Sequence, residues 1–160
     1  MESYVDLCKK LAVEGMEGFL KVFSFVPDDK LTWTPAPTAK SALHIGAHTA
    51  LYSGRFARMI GDKKLPEIDN IEEWVRQRTE RELAVTSRAE VERIFRAGTD
   101  EVIASLESLT AEDIELQLES KFGPSASMRW LMRLPGIHAE SHTGQIDYLQ
   151  TCWDDQVVHF

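Results

Sequence analysis

Four of the five histidines fall in two pairs at identical spacing, His44 with His48 and His138 with His142. Random placement of five histidines gives two such pairs at a frequency on the order of one per cent. On a helix, residues four apart share a face with Cβ atoms about 5–6 Å from each other, so both imidazoles of a pair can reach one metal ion. Three imidazoles make a catalytic-type site with a position left open for water or substrate, whereas structural zinc sites are closed and rich in cysteine. Cys8 and Cys152 lie at opposite ends of the chain and form neither a disulfide framework nor a CxxC site. A lone histidine on a packed face is more often a hydrogen-bonded residue than a ligand. Several inward imidazoles without a shared ion would each need separate polar partners, which favours a metal for the two pairs together.

Other side chains extend these faces. Gln145 follows His142 by three and could fix a ligand imidazole or a bound water, or simply pack between helices. Tyr52 and Arg55 follow His48 by four and seven and could orient an anionic or polar substrate, although a surface ion pair is the commoner role for an arginine in an acidic chain. Trp33 could cover a cavity mouth or anchor its proline-rich loop. Gly144 should permit close approach of another helix. Cys152 reads as a buried thiol three turns beyond His142, and His159 as part of a frayed tail. Glu140 lies two residues after His138, about 200° around the helix, so HAESH is not the HExxH of zinc proteases. No carboxylate base stands on either histidine face, and no catalytic residue is assigned.

The elements that must carry these residues are helical. Apolar spacing from Tyr4 to Phe25 predicts a first helix, followed by a proline-containing loop over residues 27–40. Ser41 caps a second helix to about Ile60, closed by Gly61. Residues 70–85 are highly charged, with only Ile71, Trp74, Val75 and Leu83 spaced for burial, and read as a short helix in a long crossover. Thr86 or Ser87 caps the next helix, with Glu90 at the capping-box position and Val91, Ile94, Phe95, Val102, Ile103, Leu106 and Leu109 in its stripe. A short helix is expected around residues 111–116. Helical spacing resumes from Ser127 to Trp153 through Leu131, Leu134, His138, His142, Gln145, Leu149 and Cys152. Pro135-Gly136 should kink that helix or make it start afresh before His138. The pattern is all-α, a four-helix bundle with one long crossover between its second and third long helices, and metal sites in bundles are built from facing helices.

Composition bounds the partners. The 160 residues carry 18 Lys+Arg against 26 Asp+Glu, a formal charge of −8, with mean hydropathy −0.26. This suits one soluble domain over residues 1–160, without repeats or a linker. Scattered basic residues in an acidic chain argue against nucleic acid and anionic membranes as partners. Unpaired cysteines and the lack of a signal-like start place the expectation in the cytoplasm.

The stretch WTPAP at 33–37, followed by SALHIGAH at 41–48 and HAESHTGQIDYL at 138–149, resembles the DinB-like (DinB/YfiT) superfamily across essentially the whole chain. The HxxxHxGQ string is the specific part. The resemblance implies a four-helix bundle that holds a divalent ion, zinc or nickel, on His48, His138 and His142, and members that are often homodimers. His44 is an addition to the pattern that could serve as a fourth ligand, an outer hydrogen-bond partner or a cavity base. Pro135-Gly136 is another departure, since many members run an uninterrupted helix there. Characterised relatives imply thiol-dependent transferase or isomerase chemistry on a small molecule, with a low-molecular-weight thiol as partner. Metal-dependent hydrolysis and non-catalytic binding of a metal or small ligand are the alternatives.

Overall fold

The computed structural model describes residues 3–121 and 123–159. Ser3 accepts from the amide of Asp6 and starts α1 (Tyr4–Ser24), whose buried stripe runs through Cys8, Ala12, Met16, Phe19 and Phe23. Ser41 does the same for the amide of His44 and starts α2 (Ala42–Asp62). Such side-chain caps satisfy one of the orphan amides of a first turn, worth about 1 kcal/mol each. Helix α2 ends two residues beyond the expected Ile60, because Lys63 itself takes the left-handed conformation at φ 55°. Gly61 therefore lies inside the helix.

The crossover holds α3 (Ile71–Leu83), capped by Asn70 and favoured by Glu72 and Glu73 in its first turn. Helix α4 (Arg88–Glu107) follows, with Ser87 as its cap. The Glu90 carboxylate accepts from the amide of Thr86, one residue before the cap, so the reciprocal box is displaced by one position. A single turn, α5 (Ala111–Ile114), leads to a two-stranded antiparallel ladder that the sequence pattern did not suggest. Its strands are β1 (Gln117–Leu118) and β2 (Ala126–Ser127).

Helix α6 (Met128–Thr151) runs through Pro135 without restarting. The proline forfeits one helical bond to the carbonyl four residues earlier. Packing compensates, since Pro135 and Gly136 are both buried. A Cβ on Gly136 would stand 2.7 Å from the Leu11 carbonyl oxygen and 2.9 Å from its carbon, so this glycine sets the approach of α1 to α6. Gly144, by contrast, faces open space and mediates no helix contact. Gly136→Ala is therefore expected to cost about 1–3 kcal/mol by overpacking. In thermal denaturation this should lower Tm by roughly 3–10 °C. Gly18→Ala, where a Cβ meets nothing within 4 Å, should leave Tm unchanged or raise it.

Helices α1, α2, α4 and α6 form the four-helix bundle, with α2 against α4, α1 against α6 and α2 against α6. Helix α3 packs on α2 as the crossover. The core divides into two clusters. One gathers Phe19, Phe23, Ala47, Ala50, Val91, Phe95, Ile146 and Leu149, and the other Phe56, Ile60, Val102, Leu106, Met128, Leu131 and Met132. On α6, His138 falls where the second cluster, reached by Leu134, gives way to the first at Ala139. No helix among the described residues is long and apolar enough to cross a membrane.

Two peripheral expectations are corrected. Cys152 is exposed, since it caps the end of α6 rather than joining its packed stripe. The tail is tied down: His159 pairs with Asp155 at 2.8 Å and stacks on Phe25 with ring centroids 4.2 Å apart.

Candidate metal centre

His48 projects from the second turn of α2, and His138 and His142 from successive turns of α6. Their ligand atoms all lie within 4.8 Å of one another. His138 Nε2 is 3.3 Å from His48 Nε2 and 3.1 Å from His142 Nε2. A tetrahedral ion with metal–nitrogen bonds of about 2.0–2.1 Å requires ligand nitrogens about 3.3–3.4 Å apart, so the spacing matches a ligand set.

Protonation supports the same conclusion. His48 Nδ1 lies 2.6 Å from Glu82 Oε1, and His44 Nε2 lies 2.9 Å from Glu82 Oε2. Burial alone would raise the Glu82 pKa, but the hydrogen bonds from His48 and His44, with Lys40 nearby, bring it down to about 2. An ionised carboxylate only accepts, so His48 donates through Nδ1–H and carries a lone pair on Nε2. His142 Nδ1 likewise donates to Gln145 Oε1 at 2.7 Å, which leaves its Nε2 as a lone pair. Two lone pairs thus face His138 Nε2, which can give a proton to only one of them. A divalent cation would engage all three nitrogens. Burial, reinforced by the neighbouring His142 and His48, lowers the His138 pKa to about 3, and burial also lowers that of His142. Both rings are neutral at pH 7, the state a ligand needs.

Glu82 is the residue that sequence reasoning missed. The carboxylate absent from both histidine faces arrives on the crossover helix, as the one fully buried residue of α3. Ile71, Val75 and Leu83, which the spacing had marked for burial, are exposed instead. Trp74, Arg78 and Glu82 recur every four residues, a face that points inward but reads as polar. Lys40 Nζ, 3.2 Å from Glu82, completes the charge balance. Such a carboxylate–histidine pair fixes tautomer and ring orientation.

His44 stands outside the triad, on the second oxygen of Glu82. Tyr52 lies against the triad, its ring stacked on His138 at 5.0 Å and tilted to His48 at 4.5 Å. Arg55 forms no ion pair among the described residues and sits over the rings of Trp74 at 4.7 Å and Tyr52 at 5.5 Å. Trp33 packs edge-on to Trp153 against the first core cluster, which anchors the proline-containing loop. Glu140 is exposed.

A four-helix bundle with an imidazole triad between two of its helices and a buried carboxylate behind one ring defines a class of bundle proteins with a candidate metal site between facing helices. Similarity to known proteins narrows this class. The DinB superfamily profile matches residues 13–146, and the chain belongs to the DinB superfamily. Its fold is similar to that of a DinB-like protein, YjoA of Bacillus subtilis, with TM-score 0.67 and 16% identity over 96% of each chain. It is also similar to a mycothiol-dependent maleylpyruvate isomerase, with TM-score 0.69 and 9% identity over 91% of this chain and 63% of that one. The chain therefore spans less than two thirds of the isomerase. No curated protein matches significantly.

Proposed function

We propose that the protein is a divalent-metal-dependent enzyme that carries out thiol-dependent transferase or isomerase chemistry on a small molecule. The observation that carries this reading is the convergence of three Nε2 atoms, two of which have their lone pairs fixed by Glu82 and Gln145. His48, His138 and His142 would hold zinc or nickel, and imidazole suits both. When bound to three neutral ligands, such an ion keeps its full charge and acts as a Lewis acid that favours the anionic form of a thiol.

The chain's own residues supply orientation. Glu82 holds the His48 ring and Gln145 the His142 ring, while Tyr52 closes one side of the triad. Glu82 is occupied by His44, His48 and Lys40, so it is not free to act as a base for hydrolysis. This favours the thiol reading over the hydrolase. Support by likeness comes from the neighbour that is a mycothiol-dependent isomerase. In this reading the protein works in the cytoplasm as a homodimer, for which the exposed Trp130, Ile137 and Tyr148 on one face of α6 offer apolar area.

The test is metal analysis of purified protein after dialysis against zinc or nickel, followed by turnover of a general electrophile with a panel of bacterial thiols. About one ion per chain and thiol-dependent conversion are expected. Less than a tenth of an ion per chain would overturn the site. Metal-dependent but thiol-independent cleavage would make the protein a hydrolase, and binding without turnover a non-catalytic bundle.

A further inference from the structure

In a chain of net charge −8, four arginines converge on one cavity between α2 and α3. Arg55 and Arg58 come from α2, and Arg78 and Arg81 from α3, around a space of about 170 Å3. Arg55, Arg58 and Arg81 form no ion pair among the described residues, although acids are abundant. Two of the acids on α3 are already engaged: Glu73 and Glu80 both pair with Arg76 at 2.6 Å. Glu82, the one carboxylate lining the cavity, is committed to His44, His48 and Lys40. Arg78 Nε lies 3.5 Å from Glu82 Oε1 yet is buried without a hydrogen-bond partner.

Four guanidinium groups facing one another are mutually repulsive, and the arrangement persists because Trp74 holds two of them. Arg55 and Arg78 lie over its ring at 4.7 and 4.9 Å. Stacking on an aromatic face attracts a cation without cancelling its charge. Burial, with repulsion from Arg58, Arg78 and Arg81, lowers the Arg55 pKa despite the opposing effect of Tyr52. The result is a preorganised set of donors in a partly desolvated cavity, where guanidinium forks match carboxylate and phosphate oxygens.

Two residues of the cavity wall also contact the triad. Tyr52 lines it and stacks on His138, while Glu82 lines it and holds His48. At about 30 Å3 per water, its volume equals about six waters, enough for an oxyanion group and a short carbon stem. It falls below the roughly 300 Å3 at which whole drug-sized ligands fit. We propose that this cavity is the anion subsite of the triad, binding the carboxylate or phosphate end of a small-molecule substrate whose reactive end reaches His48, His138 and His142.

The proposal rests on the triad being the reaction centre, and the experiment separates the two. Succinate and inorganic phosphate are titrated calorimetrically into the full chain, metal-free and zinc-loaded, at low and high salt. Saturable binding of at least one anion by metal-free protein is expected, weakening with salt. Affinity should fall at least tenfold in the double variant Arg58→Gln, Arg81→Gln, whose positions are exposed and should not disturb folding. It should fall further when Arg55→Gln is added, and it should survive in His138→Ala. Retention there keeps the subsite even if metal analysis refutes the centre. Absence of saturable binding, affinity unchanged in the double variant, or binding lost with His138→Ala would each overturn the subsite.

Discussion

Alanine at His138 will abolish stoichiometric metal binding and leave the bundle folded. His138 Nε2 is the nitrogen closest to both others, at 3.3 and 3.1 Å. Without it, His48 and His142 can offer an ion only two of its three positions. Loss of an outer hydrogen-bond partner already weakens metal affinity by about 10–100-fold, so loss of a ligand should exceed a hundredfold. Folding should survive because the half-buried imidazole caps no helix, and alanine is the stronger helix former. Elemental analysis gives the direct readout and circular dichroism the control. Thermal denaturation adds a second, since a ligand that binds only the native state raises Tm. Zinc should stabilise the wild-type chain and leave His138→Ala unmoved. An unchanged ion content in a folded variant would remove the triad as the metal site.

Substitution of Glu82 should act on metal affinity and stability together. Its side chain is only 2% exposed and accepts from two imidazoles and Lys40. Breaking a buried ionic cluster from one side costs about 3–5 kcal/mol. Because Lys40 can turn to water, the lower value of about 3 kcal/mol is expected for Glu82→Ala. That corresponds to a fall in Tm of roughly 6–12 °C. Metal affinity should drop about 10–100-fold as the His48 ring loses its fixed tautomer. Glu82→Gln keeps the volume and one acceptor, so it should recover much of the stability but little of the affinity. That split is what a purely structural role would not produce.

The pH dependence follows from the same carboxylate. Its pKa in the folded chain, about 2, lies below the ordinary 4.5. The unfolded chain therefore binds the proton more readily, and stability falls as the solution becomes acidic. The Glu82 contribution should be complete above about pH 4.5 and lost as pH falls towards 2. Acid titration of metal-free protein should show a steeper loss over that window in wild type than in Glu82→Gln, and equal slopes would refute it.

The helices were legible because their signals are local. Caps at Ser41 and Ser87 and the apolar stripes of α1, α4 and α6 appear directly in residue order. The equal spacing of the two histidine pairs is likewise a property of one helix at a time. Local rules erred where packing outweighed them. Pro135 sits within α6 because Gly136 admits the backbone of α1 there, while Leu83 is 61% exposed beside a buried glutamate.

By itself, the sequence determined an acidic helical bundle with two histidine pairs at helical spacing and no thiol ligand set. Spacing alone could not rank His44 against His48, since both occupy the same stripe, and it was the family resemblance that pointed to His48. Tertiary structure separates their surroundings by bringing a carboxylate across from the crossover helix: His44 and His48 each take one oxygen of Glu82, and the remaining nitrogen of His48 lies 3.3 Å from His138 on α6. The four-arginine cavity was equally hidden, because its walls come from helices joined by a long connection. The physical reason is common to both. Helical periodicity fixes which residues share a face, but the electrostatics of a site depends on which faces meet, and that is settled only when the whole bundle packs.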